Sequence, residues 1–209
     1  EEIRKLINNK TKWVILNSPS NPSGATYTAD ELAAIGKVLE DFPNVWIMSD
    51  DIYEHLVYDN FTYNTFAEVV PGLFDRTLTV NGCSKAFAMT GWRIGFAGGS
   101  SLLIKSMEKL QSQSTTNPSS ISQAAAIEAL KGKKLYLSER AKKFCERRDL
   151  VVTRLNKIPG INCLNPVGAF YVYPSCAGLI GKVTQNNNLI RNDEDFCRLL
   201  LEEEGVAVV

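Results

Sequence analysis

The sequence contains a single histidine, His55, and no CxxC pair among its five cysteines, Cys83, Cys145, Cys163, Cys176 and Cys197. One imidazole cannot complete a zinc cluster, so no metal site is expected. An odd cysteine count without metal spacing points to reduced thiols in a cytoplasmic protein, not to a disulfide framework. A surplus of either charge sign is also missing: Lys plus Arg and Asp plus Glu both number 23. Nucleic-acid binders gain affinity from excess Lys and Arg, so the balance argues against such a partner and favours a small-metabolite site. No apolar run approaches the roughly 20 residues of a membrane-spanning helix. The opening EEIRKLINNK is not a secretory signal. It reads as the C-terminal end of a helix, as though the chain began in mid-protein, and the closing GVAVV has the look of a strand with nothing after it.

What is present suffices for a folded core. The 209 residues are 44% hydrophobic and 22% charged, enough for one large domain or for one domain plus part of another. Lys12 to Asn17, Val45 to Ser49, Thr77 to Val80 and Arg93 to Ala97 are short apolar runs of strand length. The first is stopped by the turn-forming SPSNPSG. Thr28-Ala29-Asp30-Glu31 matches a helix capping box, with Leu32, Ile35, Val38 and Leu39 following at helical spacing. Strands interleaved with a helix in this way predict an α/β sheet buried on both faces.

Helices are expected over 101–113 and 119–130, separated by Asn117-Pro118, and over 134–157. Leu137, Ala141, Phe144, Leu150, Val151 and Leu155 are the candidate buried positions of the long one. Beyond it come short extended pieces, Ile161 to Leu164 and Ala169 to Tyr173, a polar loop, and a helix from Asp193 to Glu204. The change of character places a domain boundary near residue 131, with a large domain over 1–130 and a smaller α+β domain over 131–209.

In open α/β sheets ligands bind beyond the carboxyl ends of the strands. Asn21, Asp50 with Tyr53, and Lys85 all follow predicted strands, so parallel neighbours would bring them to one crevice. A lone loop lysine is ordinarily a solvated one. Lys85, however, stands between an apolar strand and Phe87-Ala88-Met89, where burial would disfavour the charged ammonium, as a Schiff-base lysine requires. Asp50 alone reads equally as a cap or turn residue, Tyr53 as a core tyrosine and Asn21 as an Asn-Pro turn former.

Taken together the segments resemble one family. Gly82-Cys83-Ser84-Lys85-Ala86-Phe87-Ala88-Met89-Thr90-Gly91-Trp92-Arg93-Ile94-Gly95 resembles the cofactor-attachment signature of class I and II aminotransferases. Asn17 to Gly24 looks like that family's NxPxNPTG loop, with Ser23 in place of threonine. Asp50-Asp51-Ile52-Tyr53 looks like its DEIY segment, with Asp51 in place of glutamate. The runs SKAFAMTGWRIG and GAFYVYP are most similar to the bacterial Iβ-type aspartate aminotransferases.

The resemblance implies a mostly parallel, three-layer fold-type-I sheet and pyridoxal 5′-phosphate (PLP) as cofactor, which serves as an electron sink. Lys85 would hold the cofactor and, once displaced by the substrate amine, would move a proton between the substrate α-carbon and C4′. Asp50 would face the pyridine nitrogen, and Tyr53 and Asn21 would hydrogen-bond the phenolic oxygen. Arg93 would pair with the phosphate, and Ser84 would add a hydroxyl.

The resemblance also implies amino-acid and 2-oxo-acid substrates, a homodimer, and Asn117 either reaching toward a partner's site or simply breaking a helix. Asp51 and Glu54 are expected in solvent, His55 in a structural role, and Trp92 in the core. Segments that recognise substrate are expected outside this chain, which alone should be inactive. Transamination between L-aspartate and 2-oxoglutarate is the leading expectation. A prephenate or aromatic aminotransferase, a PLP β-lyase, or a non-catalytic sensor or scaffold are the alternatives.

Overall fold

The computed structural model describes residues 2–209. The four apolar runs form one sheet: β1 (Trp13–Asn17), β2 (Trp46–Asp50), β3 (Thr77–Gly82) and β4 (Gly95–Gly98), in that spatial order. β1, β2 and β3 run parallel, and β4 returns antiparallel beside β3. Register sets Asn17 opposite Asp50 and Asp50 opposite Val80, so β1 and β2 end level and β3 runs two residues further. Because side chains alternate between faces, Leu16 and Ser49 share one face while Asn17 and Asp50 share the other.

The opening residues do form a helix, α1 (Glu2–Leu6). α2 (Ala29–Leu39) begins at the predicted capping box. The Thr28 hydroxyl accepts from the Glu31 amide at 3.3 Å, and the Glu31 carboxylate accepts from the Thr28 amide at 2.8 Å. Its inner face packs Leu32 and Leu39 against Leu16 and Ile47 of the sheet and against Phe66 of the short helix α3 (Phe66–Val69). Leu39 and Ile47 are wholly buried, each contributing about 1.5–3 kcal/mol of transfer free energy.

α4 (Ser101–Ser112) and α5 (Ser120–Lys131) flank the Asn-Pro break. α5 brings Ala126 against Cys83 and Met89, with Ala125, Ala129, Phe87 and Ile94 around them. α6 (Leu135–Leu155) and α7 (Asp193–Glu204) complete the helices. All five cysteines are free, and no helix among the described residues is long and apolar enough to cross a membrane.

Several expectations are overturned. Coverage of the sheet thins at its two edge strands, where Trp13 and Ile15 are 38% and 61% exposed on one face and Phe96 is 45% exposed on the other. Residues 161–164 and 169–173 are not strands; they make only single bridges, Asn162 to Ser175 and, just before the second piece, Gly168 to Val57. Val206 to Val209 pairs with no strand and is exposed.

Leu150 and Val151 face solvent. The inward stripe of α6 instead runs Leu137, Ala141, Phe144, Arg148, Val152 and Leu155. A buried arginine occupies the place that hydrophobicity alone would assign to an aliphatic residue. Trp92 is 43% exposed, because it lies in a short 3₁₀ turn on the surface and not in the core.

Candidate active site

The level strand ends set the geometry of the site. The Asn17 amide donates to the Asp50 carbonyl at 3.4 Å across β1 and β2, and the Asn17 side-chain oxygen accepts from the Asn21 backbone amide at 2.7 Å. The turn-rich loop is thereby tied to the end of the sheet, although Asn21 itself is exposed. Asp50 closes β2 and accepts from the Ile52 amide at 3.4 Å.

After β3 the chain folds into a tight turn. The Met89 amide donates to Ser84 and Cys83 carbonyls at 3.1 and 3.3 Å, and that of Ala88 donates to Lys85 at 3.2 Å. Lys85 and Ser84 are half-buried at its start. Ala88 and Arg93 take left-handed backbone conformations (φ 53° and 50°), which cost a side-chain-bearing residue about 1–2 kcal/mol each. Such strain is often found where a segment carries function. Arg93 is exposed, and its guanidinium donates to the Thr90 carbonyl at 2.8 Å. It sits two residues before β4, whose Gly95 pairs with Gly82 at the end of β3.

Lys85 and Tyr53 come together. The Lys85 ammonium lies 5.8 Å from the Tyr53 ring centroid and 5.4 Å from that of Phe170, within the range of cation–π attraction. Tyr53 is only 3% exposed, and its hydroxyl is 2.7 Å from that of Tyr171. Burial foremost, then the Tyr171 contact and the nearby Asp50 carboxylate, raise the Tyr53 phenol well above its ordinary range. It therefore stays protonated and able to donate.

Phe170 and Tyr171 arrive on a strap, residues 166–171, that lies far away in sequence. The Gly168 amide donates to the Gly24 carbonyl at 3.0 Å and the Ala169 amide to that of Leu56 at 2.8 Å. The Tyr58 amide donates to Val167 at 2.9 Å, and the Tyr58 hydroxyl donates to the Ala169 carbonyl. The strap and the SPSNPSG loop approach too closely for side chains. A Cβ on Gly168 would lie 2.6 Å from Pro19, and one on Gly24, at φ +68°, would lie 2.5 Å from Pro166.

Arg148 anchors the strap to α6. It donates to the Pro166 carbonyl at 2.9 Å, forks onto Asp59 at 2.6 and 3.0 Å, and reaches Asp149 at 2.7 Å. Its guanidinium also stands 5.1 Å from the Tyr58 ring. Composition offered no signal for these contacts; the GAFYVYP run was a resemblance without a role.

Asp51 is not in solvent. It is 3% exposed and accepts from the Ser49 hydroxyl at 2.6 Å. Burial pushes its carboxyl upward; the Ser49 hydrogen bond and the nearby Thr65 and Tyr63 hydroxyls pull it partly back, and the Glu54 charge adds to the rise. Glu54 is half-buried, accepts from the Asn81 amide at 2.8 Å and lies 3.4 Å from His55 Nε2. His55 packs edge-on against Phe87. A cavity of about 600 Å³ opens among Asp51, Glu54, Glu68, Thr79, Asn81 and Phe96. Thr79 and Asn81 belong to the face opposite Asp50, so this cavity is separate from the Lys85 crevice. Asn117 is exposed in its turn.

An amine over aromatic rings, a carboxylate at the next strand end and a protonated phenol form a donor set whose chemistry fits a pyridoxal ring: one group each for carbonyl carbon, ring nitrogen and phenolic oxygen. The mixed four-stranded sheet with its helices matches part of the fold of the fold-type-I aminotransferases. The chain belongs to the family "aminotransferase class I and II", whose family model matches residues 1–209; members of that family use PLP.

The chain is 56% identical over its whole length to an aspartate/prephenate aminotransferase of Cereibacter sphaeroides, covering 52% of that protein. It is 55% identical to an aspartate aminotransferase of Rhizobium meliloti, covering 51%. The crystal structure of an aspartate aminotransferase from Rhizobium meliloti superposes with a TM-score of 0.97 at 55% identity, over all of this chain and 52% of the other. An aromatic aminotransferase structure from Pyrococcus horikoshii gives 0.86 at 38% identity, over all of this chain and 53% of the other. The chain thus spans about half the length of the relatives it matches.

Proposed function

We propose that the full-length protein carrying this chain is a PLP-dependent aminotransferase acting between L-aspartate and 2-oxoglutarate. When bound, the cofactor supplies an electron sink for the bond broken at the substrate α-carbon. Lys85 would hold the cofactor through its amine, and the same amine, when free, would move the proton at the substrate α-carbon. Asp50 keeps a proton on the ring nitrogen by its charge. Tyr53 and Asn21 donate to the phenolic oxygen. Arg93, with donors to spare beyond its bond to Thr90, and Ser84 take the phosphate.

Residues 1–130 form part of the cofactor-binding large domain and 131–209 part of the small domain, in a cytoplasmic homodimer. The observation that carries the reading is the Lys85 ammonium held against the Tyr53 ring, with Asp50 ending the neighbouring strand. The names of the relatives favour one second reading, prephenate as an alternative amino acceptor.

The test is a spectrum of the full-length protein with added PLP. The reading expects a visible band that borohydride removes and that Lys85→Ala lacks, together with aspartate-dependent oxaloacetate formation that the same variant loses. Retention of the band and of turnover in Lys85→Ala would overturn it, and a faster reaction with prephenate than with 2-oxoglutarate would select the second reading.

A further inference from the structure

Tyr53 has a second tyrosine behind it. The two hydroxyls are 2.7 Å apart although 118 positions separate them, and their rings meet edge-on at 5.8 Å and 79°. The meeting is not that of two mobile surface side chains. Tyr53 is buried, and Tyr171 is half-buried on the strap held by the Gly24, Leu56 and Arg148 contacts. Among the described residues the Tyr53 hydroxyl has no other hydrogen-bond partner.

We propose that Tyr171 is a positioning residue that aims the Tyr53 proton at the cofactor's phenolic oxygen by donating its own proton to the Tyr53 oxygen. The inference rests on the cofactor reading above. A phenol carries one proton and can accept as well as donate. If Tyr53 donated to Tyr171, its proton would be directed away from the Lys85 side of the ring and lost to any acceptor there. If Tyr171 donates, the Tyr53 oxygen is satisfied as an acceptor and its proton is free for an anionic oxygen in the crevice.

A negative acceptor selects the second arrangement, because it is the one that satisfies all three oxygens in line. Hydrogen bonds in such a chain polarise one another, strengthening each by about 10–30%. Tyr171 therefore acts on the cofactor through Tyr53 and has no effect of its own when the Tyr53 hydroxyl is absent. Mere packing of the Tyr171 ring in the cluster with Tyr53, Leu56 and Ala169 makes the opposite statement, since phenylalanine would pack equally well.

The experiment is a pH titration of the visible band of the full-length, PLP-loaded protein in four forms: wild type, Tyr171→Phe, Tyr53→Phe and the double variant. Weaker donation to the phenolic oxygen leaves the proton on the lysine-linked chromophore to higher pH. Tyr171→Phe should therefore raise the titration midpoint by about two- to five-fold in proton affinity, roughly 0.3 to 0.7 pH unit. Tyr53→Phe should raise it further, and the double variant should titrate with Tyr53→Phe.

An unshifted midpoint in Tyr171→Phe with its band intact overturns the proposal and leaves the cofactor reading standing. A double variant shifted beyond Tyr53→Phe does the same, because Tyr171 would then act independently. Absence of a borohydride-sensitive band in the wild type overturns both. Equal thermal midpoints of wild type and Tyr171→Phe separate a shifted titration from a general loss of structure.

Discussion

Replacing Arg148 with methionine tests the hold of α6 on the strap. The guanidinium is 5% exposed, whereas its carboxylate partners Asp59 and Asp149 are 47% and 57% exposed. Freed of Arg148, both carboxylates return to water, so the two ion pairs contribute little net, as half-exposed pairs generally do. The Pro166 carbonyl cannot rehydrate: its bond to Arg148 is buried. A buried hydrogen bond to a charged donor is worth about 1.5–3 kcal/mol, and methionine keeps most of the apolar stem. The expected loss is therefore about 2–3 kcal/mol, read as a shift in urea unfolding of the full-length protein at fixed concentration.

The pH dependence has a definite sign. The Arg148 hydrogen bond, with its charge adding to it, holds the Asp59 carboxyl below its ordinary value. A depressed carboxyl contributes stability that is present above its unfolded value, near 4, and lost as pH falls through the folded one. The difference between wild type and Arg148→Met should thus be slightly smaller below about pH 4 than at neutral pH, its larger part, the Pro166 bond, being independent of pH. A difference under about 0.5 kcal/mol at pH 7, the range of ordinary surface substitutions, would refute the claim that this side chain secures the strap.

Two further substitutions probe the surroundings of the site. Gly168→Ala puts a methyl 2.6 Å from Pro19 and 3.0 Å from Thr26, and overpacking of this kind costs about 1–3 kcal/mol. Its thermal midpoint and retained PLP should both fall, and unchanged values would mean that strap and loop separate without cost. Asp51→Asn should show the opposite pH trend to Arg148→Met. The folded state raises the Asp51 carboxyl, so its charged form penalises folding above that raised value and the penalty vanishes as pH falls. The amide keeps the acceptor for Ser49, and it should stabilise the protein at pH 8 by on the order of 1 kcal/mol, with no gain at pH 4. A variant that gains more in acid than in base contradicts this account.

Elements determined by neighbours in sequence were legible without coordinates. The Thr28–Glu31 box starts α2, because capping depends on four consecutive residues. α7 runs over the expected residues because Asn192 accepts from the Asp195 amide at 2.8 Å and Gly205 ends it in a left-handed conformation. The strand runs held within two residues. Failures fall where long-range contacts decide. Asp51 lies in the interior because β2 carries it beneath Tyr63 and Thr65, and local polarity contains no sign of that. Arg148 replaces an aliphatic residue on the inner stripe of α6 because Asp59 and the Pro166 carbonyl come to meet it. Those partners are 89 and 18 positions away.

The candidate site divides in the same way. Lys85, Asp50, Tyr53, Asn21, Ser84 and Arg93 were named from residue types standing after strands and from motif order, so the sequence by itself determined the family and the roster of chemical groups. Tertiary structure decided which of those groups touch. It brings the Lys85 ammonium onto the Tyr53 ring and sets Asp50 level with the end of β1, and it adds Phe170 and Tyr171, which no motif had assigned a task. The physical reason is the range of the forces concerned. Capping, turn chemistry and apolar periodicity act within a few residues, whereas a hydrogen bond between two hydroxyls more than a hundred positions apart exists only once packing has carried them together.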